Sequence, residues 1–106
     1  MPTFMMSMNF TDQGIRAIKG APKRAEAARD LAKKLGVEVK HLYLTSGESD
    51  LVVFLETPNE DNVAKFALAL GSLGNVRTRT CRVWPAEEYV KRFTHLATAV
   101  AESTKM

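Results

Sequence analysis

The chain has 106 residues, of which 45% are hydrophobic and 25% charged, and its net charge is +3 at neutral pH. These values sit at globular averages and exclude a disordered or membrane-embedded class. One cysteine, Cys81, excludes an intramolecular disulfide and a multi-cysteine metal site.

A single core is expected at this length, burying roughly 65% of the surface that the extended chain exposes. The uncharged stretch that begins at Phe66 contains two glycines, a serine and an asparagine before Arg77, and it is too short to cross a bilayer. The N-terminus is apolar but lacks a basic segment and reaches Asp12 early, so it reads as no signal peptide and the expected location is cytoplasmic. Basic residues crowd the segment from Arg16 to Lys40, in the pattern of the solvated face of an amphipathic helix.

The first element is a strand, Thr3 to Phe10, with Phe4, Met6, Met8 and Phe10 on one face and Thr3, Met5, Ser7 and Asn9 on the other. The first set is the expected core face. Thr11 or Asp12 suits a helix N-cap, and Ile15 and Ile18 suggest a short apolar stripe ahead of Gly20. Pro22 fits the first turn of a helix, because its missing N–H has no intrahelical partner there. Ala25, Ala28, Leu31, Ala32 and Leu35 recur at helical spacing, and Gly36 supplies the left-handed residue that ends such a helix.

The second strand begins with Val37 and Val39 but continues with Leu42 and Leu44, which fall out of phase. A bulge near Lys40 or His41 brings both pairs to the helix side and sends His41 and Tyr43 to the other. The third strand, Leu51 to Leu55 and on to Glu56, has no polar face before its last residue, the mark of a strand covered on both sides. Asn59 caps the next helix, whose expected buried stripe is Val63, Phe66, Ala67, Leu70 and Leu73, with Gly74 as its stop. A fourth strand runs from Val76 to Trp84, and Pro85 ends it. A further helix, Ala86 to Val100, uses Val90, Phe93, Leu96 and Val100, with a fraying tail from Glu102 to Met106.

This order predicts an α+β, ferredoxin-like β-α-β-β-α-β domain: a four-stranded antiparallel sheet with helices on one face, plus the C-terminal helix. Residues 1–88 form the domain in this reading, and 89–106 are its terminal helix and tail. The first and third strands are expected at the centre, and charges on the other two discourage strand addition at the edges. Two helices cover only one face, yet the third strand is apolar on both. Met5, Tyr43 and Trp84 are candidates for the open side, and a sheet-on-sheet homodimer is the expected cover, with the terminal helix as the alternative.

The runs Asn9 to Ile15, Pro22 to Ala27, Thr45 to Val52 and Phe66 to Gly71 together resemble the GYD-domain family of small bacterial proteins, over about Pro2 to Glu88. The resemblance implies kinship with dimeric ferredoxin-like α/β-barrel proteins. The family takes its name from a Gly and a Tyr-Asp pair in the turn between the middle strands. Gly47 and Asp50 match that motif, while Ser49 stands at the tyrosine position and removes its ring and phenol. The resemblance supports the fold and brings no reaction with it.

Function is read from few residues. Tyr43, Gly47, Ser49, Asp50 and Trp84 form the expected ligand-binding set, and Gly47 is expected to hold a left-handed turn. The leading reading is a homo-oligomer that binds a small, partly apolar molecule or serves assembly alone. The alternative is a cofactor-free enzyme, a small oxygenase or isomerase, with His41, Tyr43 and Asp50 in proton transfer. No cofactor is expected, and two separated histidines, His41 and His95, make no metal site. Cys81 reads as a buried or half-buried side chain. No nucleophile signature, phosphate loop or dinucleotide fingerprint occurs. Nucleic-acid binding is the weakest reading, because the basic-aromatic consensus of RNA-binding domains is absent although Arg77, Arg79 and Arg82 are present.

Overall fold

The computed structural model describes residues 1–105. Met106, the end of the expected tail, lies outside the described residues. Its strands are β1 (Thr3–Phe10), β2 (Glu38–Leu44), β3 (Leu51–Glu56) and β4 (Val76–Val83). Its helices are α1 (Asp12–Arg16), α2 (Ala21–Lys34), α3 (Glu60–Ser72) and α4 (Ala86–Ser103), with a 3-10 turn at Ile18–Gly20. The strands pair antiparallel in the order β2-β3-β1-β4, so β1 and β3 are central, as their uncharged interiors predict. This is the ferredoxin-like arrangement. The sheet is open, however, and β2 and β4 keep free edges, so the barrel suggested by the resemblance is not formed by one chain.

Alternation along β1 puts Phe4, Met6 and Met8 into the core with Val53 and Leu55 of β3. α2 and α3 cover this face through Ala32, Val63, Phe66 and Leu70. The small Ala stripe lets α2 approach, and Phe66 fills the space between sheet and helix with only 1% of its surface exposed. Thr57, also fully buried, follows β3 and donates to the Gly36 carbonyl at 2.9 Å while accepting from Asn62 Nδ2 at 3.2 Å. Those bonds fix the end of α2 against the start of α3.

The helix ends follow from their cap residues. Thr11 accepts from the Gly14 amide at 3.1 Å, and Asn59 accepts from the Asp61 amide at 2.9 Å. Gly36 and Gly74 take positive φ, 78° and 82°, and end α2 and α3. The register shifts between Val39 and His41, leaving Lys40 as an extra residue. The expected bulge therefore exists, and it puts Val39 and Leu42 against the core with His41 and Tyr43 on the opposite face.

Several expectations fail at the margins of elements. Ile15 and Ile18 are exposed, because the chain leaves helical geometry at Ala17 and no continuous helical face forms. Leu73 is exposed at the cap of α3, past its last full turn. Leu44 lies on the helix side of the sheet but is 82% exposed, since it ends the edge strand. Cys81 is exposed rather than buried: it pairs with Met5 on the side of β4 that no helix covers.

Candidate functional site

The uncovered face is built by register. His41, Phe54, Met5 and Cys81 form one row across the four strands, and Tyr43, Val52, Ser7 and Arg79 form the next. Three of these side chains make an aromatic cluster. The His41 and Tyr43 rings are near-parallel with centroids 6.0 Å apart, and both meet the Phe54 ring edge-on, at 6.4 and 6.2 Å. Such edge-on pairs place the positive ring edge against the negative ring face. The bulge at Lys40 is what brings a histidine and a tyrosine onto this patch.

Trp84 follows β4 at the end of the sheet, where it borders the open face. Two guanidinium groups stack on its ring, Arg82 at 4.9 Å and Arg92 at 5.3 Å from the ring centroid. Arg82 also donates to the Thr3 carbonyl at 3.0 Å and to the Val83 carbonyl, so the stack is anchored to the end of the sheet. Between Trp84 and the aromatic cluster is a shallow depression of about 360 Å³, lined by His41, Phe54, Trp84, Thr3, Glu56 and Glu87 among others. Neither Tyr43 nor Asp50 lines it.

Asp50 serves the backbone. Its Oδ2 accepts from the Phe10 amide at 2.8 Å, its amide donates to the Met8 carbonyl at 2.9 Å, and its carbonyl accepts from the Thr45 amide at 3.0 Å. The residue thereby ties the connection between β2 and β3 to the end of β1. Thr45 Oγ1 donates to the Ser49 carbonyl, and Asn9 Nδ2 donates to the Glu48 carbonyl at 2.6 Å. The connection is six residues long and closed by these bonds, so it needs no left-handed residue at its middle. Gly47 accordingly does not take positive φ, contrary to expectation, and a Cβ there would meet nothing within 4 Å.

The expected residues thus divide. His41 and Tyr43 share the open face, Trp84 stands at the end of the sheet beside it, and Gly47, Ser49 and Asp50 form the turn beyond it. The depression that His41 lines is lined by neither Tyr43 nor Asp50, so the three do not converge there. Phe54 is the residue that joins the cluster, and its alternation with Val53 in an apolar strand was the signal for its place.

A second cavity lies on the covered side, between the helices and the sheet. It is about 160 Å³ and almost wholly apolar, lined by Ala25, Ala28, Leu31, Leu51 and Leu70, with Arg24 and Asn75 among its lining residues. Arg24 donates to the carbonyls of Ala17 at 2.8 Å and Gly14 at 3.2 Å. The cavity is partly open to solvent, and its volume is that of a molecule about as large as benzene. The alanines of α2 leave the room, a consequence of the stripe that had pointed only to close packing. No group of three or more metal-ligating side chains occurs among the described residues, and no helix there is long and apolar enough to cross a membrane.

Comparison with known proteins adds to this geometry. The family model described as GYD domain matches residues 4–92. A protein of Thermus thermophilus named glutamine synthetase and cystathionine beta-lyase binding protein is 32% identical over 93 residues, which span 87% of this chain and 98% of that protein. A crystal structure of a protein from Thermus thermophilus superposes with a TM-score of 0.52 at 19% identity, covering 81% of this chain and 96% of the other. A crystal structure of a hypothetical protein from Pyrococcus horikoshii gives 0.49 at 20% identity, covering 83% and 95%.

Proposed function

The chain belongs to the GYD-domain family, and on that premise we propose that it is a self-associating binding module that works by presenting the open face of its sheet, without strong catalytic machinery of its own. The observation that carries this reading is the His41–Tyr43–Phe54 cluster on a sheet face that no helix of its own chain covers. Aromatic side chains gathered on an accessible face are the usual anchors of protein interfaces. The Thermus relative's name, a binding protein for two enzymes, supports a role in protein assembly. In a reducing cytoplasm, the expected location, the exposed Cys81 on this face stays a thiol. The apolar cavity under α2 is the place for a small, partly apolar ligand, with the Arg24 guanidinium as its polar contact.

The enzymatic reading receives less support, because Asp50 spends its carboxylate on the Phe10 amide instead of facing His41 and Tyr43. Sedimentation velocity at micromolar concentration tests the proposal. A homodimer is expected, and replacing Phe54 with Glu should disperse it while circular dichroism stays that of a folded chain. A wild-type monomer across the micromolar range would remove the self-association.

A further inference from the structure

Helix α4 has no buried residue. Its stripe of Tyr89, Phe93, Leu96 and Val100, spaced at three and four residues, stands open to solvent, with Phe93 59% and Leu96 50% exposed. Tyr89 and Phe93 stack at 5.7 Å and preform part of that stripe. The helix is about 27 Å long at 1.5 Å per residue. Its direction is set at its root, because Arg92 in its second turn stacks on the same Trp84 ring that Arg82 holds to the sheet, and Pro85 stands between. The chain consequently extends to 57 Å along its longest axis, and its radius of gyration is 16.7 Å against about 13 Å for a compact chain of this length.

The accessible surface is 7716 Å², where a compact monomer of 11.7 kDa has about 5,900 Å², leaving an excess of about 1,800 Å². A standard interface takes about 800 Å² from each partner. The chain thus carries two apolar surfaces it does not cover, a sheet face and a helix stripe. The excess is larger than the area one partner gives to a standard interface, and the Arg82–Trp84–Arg92 stack stands where the two surfaces meet. Most of the stripe lies beyond Arg92, past the residues that match the family model.

We infer that α4 is an exchanged arm: in a dimer of this chain, the Tyr89–Phe93–Leu96–Val100 stripe of each copy lies on the open sheet face of the other, over Phe54, Tyr43 and Val52. This rests on the self-association proposed above and names its occupant. A twofold axis then pairs arm with sheet twice, so that neither an arm stripe nor an open sheet face is left over. The depression between Trp84 and His41 sits at the root of the arm and becomes a pocket that both chains wall.

The test is complementation. Two full-length variants are made, Phe54→Glu in the sheet face and Phe93→Glu with Leu96→Glu in the arm, and folding is checked by circular dichroism. Tyr43→Glu, at a more exposed position of the same cluster, replaces the first if Phe54→Glu does not fold. In an exchanged dimer each variant alone loses both arm–sheet contacts, so its dissociation constant, read by sedimentation equilibrium, should rise by about 100-fold or more. An equimolar mixture restores one intact arm on one intact sheet, and heterodimer should reappear at concentrations where neither variant associates. A mixture that stays monomeric overturns the exchange, since an exchanged heterodimer keeps one arm–sheet contact intact. An arm variant that dimerises like wild type overturns it too and leaves the sheet-face reading standing. A monomeric wild type overturns both.

Discussion

The two faces of the sheet are made from the same strands, yet they end in different states. In β3, Val53 and Leu55 point to α2 and α3 and are buried, while Val52 and Phe54, equally apolar, point away and remain half-covered. The covered face is apolar across β1, β2 and β3. The open face mixes Met5 and Phe54 with Ser7, His41, Tyr43 and Arg79. Burial in this fold is decided by what stands opposite a residue rather than by the residue itself. The open face has kept enough polarity to exist uncovered and enough aromatic surface to gain by being covered.

The largest expected effect breaks or confirms that contrast directly. Phe66→Ala should destabilise the chain by about 3–5 kcal/mol, because it empties the closest-packed part of the covered side. Phe54→Ala, measured by urea unfolding under dilute conditions where the chain is monomeric, should cost about 1–2 kcal/mol, since part of its side chain is already in water. Equal costs would mean that the two faces do not differ as described.

The next test addresses how the covered side is closed at its end. A Cβ on Gly14 would stand 2.0 Å from the Asn75 carbonyl oxygen, and that oxygen is backbone held by the Thr11 amide at 3.1 Å. Gly14→Ala should therefore cost about 2–4 kcal/mol, seen as a lower denaturation midpoint. An unchanged midpoint would show that the α1 end is free to move away from β4.

Asp50 sits past the open face, and its substitution separates a structural carboxylate from a chemical one. Asp50→Ala leaves the Phe10 amide without its acceptor and should cost about 1–2 kcal/mol, whereas Asp50→Asn, which retains a side-chain oxygen, should recover much of that loss. A variant of full stability would argue that the carboxylate is held in reserve for another role. The smallest effect is expected at Gly47, where Gly47→Val should change stability by less than about 0.5 kcal/mol, as for a surface site without strain. A loss several times larger would restore the special turn that the family motif suggests.

Much of the fold was legible because local rules acted alone. Alternation in β1, the cap residues Thr11 and Asn59, the stops at Gly36 and Gly74, and the phase break answered by the bulge at Lys40 each depend on a few neighbouring residues. The open-face cluster was half legible: the bulge placed His41 and Tyr43 together, but only pairing with β3 put Phe54 against both rings. The failures share one cause. Ile15, Leu44, Leu73 and Cys81 lie at the ends or outer faces of elements, where an apolar side chain is buried only if another element reaches it, and none does.

The sequence by itself determined the order of the elements, the strands that lie at the centre and the face that enters the core, because periodicity and cap chemistry are properties of a short stretch of chain. Only the tertiary structure decided that Asp50 serves the Phe10 amide, that Gly47 is unstrained, that alanines leave a cavity under α2, and that α4 leaves the body with its apolar stripe uncovered. Those outcomes depend on distances between residues far apart in the chain, and the direction of α4 depends on two arginines, ten residues apart, that meet on one tryptophan ring.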